Sequence, residues 1–151
     1  MKDIQPRLIR LFKEGYCTPQ IGKIARELDE PAATIHYNIK KLENSGTIRT
    51  YKAVFDYKKI DEGFCAYMLI ALSSSEYAEP ERVAAQLSKH REVESVDILA
   101  GDWELLLKIR TKNQEEFFEF LKEVVAKEKG IENTNSIISL KQVKTEFVLT
   151  T

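Results

Sequence analysis

The sequence predicts an α+β chain in two parts: a basic helical front closed by a small hairpin, and an acidic back of β-α-β-β-α-β order. Three observations predict it. Apolar residues recur at helical spacing up to about Asn44 and alternate at strand spacing in runs after Phe64. Charge divides with that change of period: through Ile60 there are 12 Lys and Arg against 7 Asp and Glu, net +5, and from Asp61 onward 11 against 17, net −6. Between Pro19 and Ile48 the stretch PQIGKIARELDEPAATIHYNIKKLENSGTI reads as two short amphipathic helices joined by a tight polar turn. At 151 residues and 43% hydrophobic, the chain suits one average domain or two small ones.

In the first helix Ile4, Leu8, Leu11 and Phe12 form one apolar stripe, with Arg7, Arg10 and Lys13 on other faces. Pro6 belongs in its first turn, where a missing N–H costs nothing, and Gly15 stops it. The second helix is signalled by Thr18 as N-cap, Pro19 at the first helical position, and Ile21, Ile24, Ala25 and Leu28 at i, i+3, i+4 and i+7. Asp29-Glu30-Pro31 ends it.

The third helix runs from about Pro31 to Asn44. On a wheel of about 100° per residue, Ile35, Ile39 and Leu42 cluster toward the core, while Ala33, Tyr37, Lys40 and Asn44 lie opposite and Thr34, His36 and Lys41 flank them. Ser45-Gly46 closes the helix, and Thr47 to Phe55 is expected as a small hairpin, or wing, carrying Arg49 and Lys52. An aromatic residue opposite the core stripe has no core to enter. Beside Thr, His, Asn and two Lys on the second helix of a tight pair, Tyr37 points to contact with double-stranded DNA in its major groove. On that reading Lys40, Lys41 and Arg49 neutralise phosphates, and Thr34, His36 and Tyr37 face base edges.

After a connector at residues 56–63, Phe64 to Leu72 is a strand with two apolar faces, so both faces want cover. Glu79-Pro80-Glu81 opens a helix with the stripe Val83, Ala84, Leu87. Val93 to Leu99 and Trp103 to Arg110 are strands joined by the turn Ala100-Gly101-Asp102. Asn113 with Glu116 three residues on is a capping box for a helix bearing Phe117, Phe120, Leu121, Val124 and Val125 and ending near Lys127 to Gly130. Asn133 to Val148 supplies a last strand. That order is the ferredoxin-like pattern. Two helices cover one face of such a sheet, so the other is expected to meet a second copy of the chain, giving a homodimer that spaces two DNA-binding heads.

Cys17 and Cys65 form no C-x-x-C pair and are expected as reduced thiols. No signal-peptide series opens the sequence, and the longest strongly apolar run is too short for a bilayer, so the expected setting is cytoplasmic, with no membrane partner. No Ser/His/Asp set, Gly-rich phosphate loop or metal-spaced cluster is visible, so neither an enzyme nor a cofactor or metal is expected.

ATIHYNIKKLENSGTIRTY, AGDWELLLKIRT and NTNSIISLK are similar to the recognition helix and wing, the Gly-Asp turn with its following strand, and the last strand of the Lrp/AsnC family of transcription regulators. The likeness spans nearly the whole chain. It implies a winged helix-turn-helix domain over residues 1–55, the linker, and a ferredoxin-like oligomerisation and effector-sensing domain over residues 64–151. It also implies dimers that assemble further, often to octamers. A small-molecule effector, usually an amino acid, would bind through Gly101, Asp102, Thr134 and Ser136. The sequence departs from the family's usual turn at Ala100, Trp103 and Glu104, and has Asn38 where an Arg is frequent in the recognition helix. Two other readings stay open: a ligand-independent architectural DNA-binding protein, and an enzyme resembling siroheme decarboxylases. The latter chemistry wants basic and His residues in the tail, where His90 is the only histidine.

Overall fold

The computed structural model describes residues 3–146 and 148–149, and it divides between Val54 and Phe55 into two compact units. The front unit holds α1 (Gln5–Lys13), α2 (Ile21–Leu28) and α3 (Ala32–Asn44). Pro6 sits in the first turn of α1 as expected. Gly15 adopts φ +90°, and a Cβ there would lie 2.6 Å from Thr50 Oγ1 and 3.1 Å from the Tyr51 carbonyl oxygen. This position therefore needs glycine both for its backbone angle and for the close passage of the later segment.

The start of α2 differs from the sequence expectation. Gln20, not Thr18, is its N-cap, and Ile21 N–H donates to the Pro19 carbonyl at 3.1 Å. With Gln20 at φ −83°, ψ 81°, this is an inverse γ-turn, which keeps Pro19 outside the helix. At the far end Asp29 takes the left-handed region (φ 50°), and Glu30 N–H donates to the Ala25 carbonyl at 3.0 Å. Only Asp29, Glu30 and Pro31 separate α2 from α3, the short joint of a helix-turn-helix.

The expected hairpin between Thr47 and Phe55 does not form; no residue of that stretch is in a strand. An isolated two-stranded hairpin is marginal in water. Here Tyr51 Oη instead donates to Glu43 Oε1 of α3 at 3.2 Å, and Thr50 lies against Gly15. The wing position is thus an irregular segment fastened to α3 and to the end of α1.

The back unit is a four-stranded antiparallel sheet in the order β2-β3-β1-β4, built from β1 (Phe64–Leu72), β2 (Val93–Ile98), β3 (Leu105–Thr111) and β4 (Ile131–Ile138). Helices α4 (Pro80–Leu87) and α5 (Gln114–Glu123) fill the two crossovers. Ala66, Met68 and Ile70 stand opposite Ile109, Leu107 and Leu105 on one face and, with Leu72, form the core with Val83, Leu87, Phe117, Phe120 and Val125. Each fully buried side chain of that size contributes about 1.5–3 kcal/mol. The N-cap half of the capping box is present, Glu116 N–H donating to Asn113 Oδ1 at 2.9 Å; the Glu116 carboxylate reaches one residue further back, its Oε2 accepting from Lys112 N–H at 3.0 Å. α5 stops four residues short of Lys127, because Val124 leaves helical angles (φ −112°, ψ −64°) and Val125–Lys127 tightens to a 3-10 turn.

The last strand also differs. β4 begins at Ile131, and its ladder with β1 ends where Ala66 pairs with Ile138, just beyond which Ser139 N–H donates to the Cys65 carbonyl at 2.9 Å. The chain turns into a separate hairpin of β5 (Lys144–Thr145) and β6 (Val148–Leu149).

Candidate functional site

Two sets of residues carry the functional expectations, one in each unit. In the front unit, helical spacing places Thr34, His36, Tyr37, Lys40 and Lys41 on the exposed side of α3, while Ile35 is buried beneath. Tyr37 is 69% exposed, so its ring has no core role. Arg49 is exposed on the segment after Gly46, whose φ of +73° supplies the left-handed cap.

Two features of this surface were missed from sequence. Asn38 Nδ2 donates to the Thr34 carbonyl at 2.8 Å, so the residue standing in place of a frequent Arg is turned back onto its own helix. Lys40 Nζ lies 2.7 Å from Glu43 Oε2, and Glu43 also accepts from Tyr51. The hydrogen bond to Glu43, then its charge, raises the Lys40 ammonium above its ordinary range. The bond from Lys40 lowers the Glu43 carboxyl against the smaller opposing effect of burial. Lys40 therefore meets any phosphate with a competing anion already in place, whereas Lys41 is exposed in the last turn of α3. The i, i+3 spacing of Lys40 and Glu43 was the available signal.

In the back unit, Gly101 and Asp102 are exposed in the loop joining β2 to β3, which Leu99 N–H closes by donating to the Glu104 carbonyl at 2.8 Å. Gly101 takes φ +141°, and a Cβ there would meet nothing within 4 Å, leaving the space above the turn open. Glu104 ties the turn to the neighbouring strand: its N–H donates to the Ile70 carbonyl at 3.0 Å, and its Oε2 accepts from Leu72 N–H at 2.7 Å. Ile70 is flanked by Leu105 on one side and Thr134 on the other, so the turn and Thr134 share one end of the sheet, two strands apart.

Register also fixes the faces. Thr134 and Ser136 oppose Ile70 and Met68, which puts them on the helix-bearing face at the β4 edge; Asn133, Asn135 and Ile137 oppose Ala71, Leu69 and Tyr67 on the other face. The four effector candidates lie at two places on the sheet, Gly101 and Asp102 in the β2–β3 turn and Thr134 and Ser136 on β4. A cleft of about 260 Å³ between the α4–β2 loop and α5, lined by His90, Glu92, Glu116, Phe120 and Glu123 among others, includes none of them.

The helix-free face carries apolar groups. Tyr67, Leu69 and Leu106 are half-buried there, and Ile137 is 49% exposed. One end of this face is charged and closed. Arg110, 6% exposed, donates from Nε and Nη2 to the two carboxylate oxygens of Glu94 at 2.6 and 3.3 Å, and Lys108 Nζ lies 2.9 Å from Glu94 Oε2. Burial raises the Glu94 carboxyl, but the hydrogen bonds from Arg110 and Lys108, with their charges, outweigh it and hold the group below its ordinary range. Among the described residues no group of three or more His, Cys, Asp or Glu is arranged to hold a metal ion, and no helix is long and apolar enough to cross a membrane.

Comparison with known proteins gives these surfaces a setting. The family model described as the Lrp/AsnC ligand binding domain matches residues 65–149. The chain is 34% identical over 144 residues to the HTH-type transcriptional regulator FL11 of Pyrococcus abyssi, covering 95% of this chain and 92% of that one. Among solved structures, an AsnC family transcriptional regulator from Agrobacterium tumefaciens superposes with a TM-score of 0.75 at 22% identity, covering 100% of this chain and 95% of that one. The feast or famine regulatory protein from M. tuberculosis complexed with L-methionine gives 0.73 at 19% identity, covering 94% and 92%. These last two likenesses concern the fold; the family model and the Pyrococcus relative carry the assignment. With a helix-turn-helix in front and the matched domain behind, the chain belongs to the Lrp/AsnC family of transcription regulators.

Proposed function

We propose that residues 1–55 bind double-stranded DNA with α3 in the major groove, that 56–63 connect, and that 64–151 assemble copies of the chain and sense an amino acid. The observation that carries the DNA reading is the outward face of α3, where Tyr37 stands exposed among Thr34, His36, Lys40 and Lys41 with Arg49 following. Lys40, Lys41 and Arg49 neutralise phosphates; Thr34, His36 and Tyr37 face base edges. Titrating the protein against duplexes enriched from a random pool, at several salt concentrations, tests it. A salt-insensitive affinity sinks the phosphate assignment, and a Tyr37→Ala variant that selects the same sequences as the parent sinks the base-edge assignment.

The tail reading uses both faces of the sheet. A second copy covers the helix-free face through Tyr67, Leu69, Leu106 and Ile137, and dimers assemble further, up to octamers. Thr134 and Ser136 lie on the opposite face at the β4 edge, so they stay accessible in that dimer and complete a site with Gly101 and Asp102 where dimers meet. Turn amides there suit a carboxylate, and Asp102 with the two hydroxyls suits an ammonium. The methionine complex of the M. tuberculosis protein supports an amino acid as the ligand class. Thermal-shift measurement against the twenty amino acids tests this; if none shifts the melting point, the chain works as a ligand-independent DNA-binding platform instead. The setting is cytoplasmic, and the role is regulatory rather than enzymatic.

A further inference from the structure

The stretch that connects the two units is bound to the sheet. The front unit ends at Val54, and from Phe55 onward the chain belongs with the back unit. Asp56 caps a 3-10 turn at Tyr57–Ile60, its side chain accepting from Lys58 N–H at 3.3 Å. The Arg110 guanidinium lies 3.6 Å above the centre of the Tyr57 ring, and Phe55 meets that ring edge-on at 6.5 Å. Arg110 Nη1 donates to the Glu62 carbonyl at 3.4 Å, so both ends of the stretch are held by one side chain.

That side chain cannot easily move. Its Nε and Nη2 are fixed by Glu94, and Nη2 also donates to Gln142 Oε1 at 2.8 Å in the segment leading to the C-terminal hairpin. Lys108 secures the other side of Glu94 and reaches Thr145 Oγ1 at 3.4 Å. A cation stacked on an aromatic ring away from water is held more tightly than an exposed one. A free connector of residues 56–63 would give a reach of roughly 25–30 Å at about 3.3–3.6 Å per residue. The clamp removes that slack.

We propose that Tyr57 and Arg110 are positioning residues for DNA binding: by pinning the connector to the tail sheet they leave each head a short tether, which limits the spacings of paired half-sites that an assembly accepts. This rests on the dimeric, DNA-binding reading above. The experiment uses the full chain in three forms: parent, Tyr57→Ser, which removes the ring under Arg110, and Tyr57→Phe, which keeps it. Lys58 and Lys59 are exposed within the clamped turn and report its opening to trypsin. The Ser variant is expected to be cut after them at least about tenfold faster than the parent, with other sites cut at unchanged rates and the Phe variant matching the parent.

On a selected duplex whose halves are moved apart one base pair at a time, the parent is expected to prefer in-phase spacings, which recur about every 10–10.5 base pairs, by at least about tenfold. The Ser variant should compress that ratio to about threefold or less while binding a single half-site as the parent does. Equal trypsin rates at Lys58 and Lys59, or an unchanged spacing profile with faster cleavage, overturns the proposal. Failure of the parent to bind any duplex refutes the DNA reading and, with it, the positioning role.

Discussion

The two units solve the same problem in opposite ways. The tail closes a core of its own: Met68, Ile70, Leu105, Leu107 and Ile109 are fully buried between one sheet face and two helices. In the head Ile35 is the one buried apolar residue among those described, and the stripe of α1 stays open, with Ile4 50% and Leu8 38% exposed. A sheet with two helices on one face encloses volume, whereas three short helices share few positions from which water is wholly excluded. The difference separates a part organised around its interior from one organised around the surface of a single helix.

The strongest way to break the contrast is Leu107→Ala against Leu8→Ala. The first should cost about 2–5 kcal/mol in urea unfolding and the second less than about 1 kcal/mol. Equal losses would show that the α1 stripe is covered in solution. Next comes Glu94→Gln, expected to cost about 1–3 kcal/mol at pH 7 by leaving buried Arg110 without its anion. Because the folded Glu94 carboxyl is held below its ordinary value of 4.5, its stabilisation is fully present above that pH and is lost as pH falls through the lower folded value. Urea titrations at pH 7 and pH 3.5 should therefore show a smaller acid loss in the Gln variant than in the parent; identical losses would remove Glu94 from the acid response.

Gly15→Ala sharpens the picture of the head, where one residue meets two constraints at once. About 1–2 kcal/mol of destabilisation is expected in thermal melts, from the φ of +90° and the 2.6 Å approach of Thr50 Oγ1. A variant as stable as the parent would mean that the segment after α3 is not fastened there. The smallest effects concern the surface itself. Lys41→Ala should reduce the salt slope of DNA binding by about 0.9, one phosphate contact. Lys40→Ala should do less until Glu43→Gln removes its competitor, after which the loss should grow about threefold; an additive double-mutant cycle would discard Glu43 as a competitor.

Much of the fold was legible because period and punctuation agreed. β1 runs over the same residues, Phe64 to Leu72, that its continuous apolar run predicted, and Asn113 with Glu116 marked the start of α5. The failures share one cause. Thr18-Pro19 has the chemistry of a helix start, yet a γ-turn at Gln20 displaced it. Thr47 to Phe55 has the composition of a hairpin, but a strand needs a neighbour, and its contacts are to Gly15 and Glu43. The last strand stops at Ile138, where its pairing with β1 ends, and a separate hairpin follows. In the candidate site the residue types and helix face were readable, while the partners were not. Glu43 sits one turn from Lys40 in sequence, but Tyr51, Glu94 and Tyr57 reach their partners only through folding.

What the sequence determined by itself is whatever depends on neighbours a few residues apart: helix faces, caps, the alternation of strands, and the basic and acidic halves. From these came the two-part architecture and the exposed outward face of α3. Only tertiary structure decided that Lys40 already has an anion, that Thr134 and Ser136 share the helix-bearing face with Ile70 and Met68, and that the connector is clamped beneath Arg110. The physical reason is range. Periodicity and capping act within one or two turns of chain, whereas strand register and buried ion pairs reach much further, 16 positions between Glu94 and Arg110 and from Ala66 to Ile138 across β1 and β4, and a single sequence carries no mark of those pairings until the chain closes on itself.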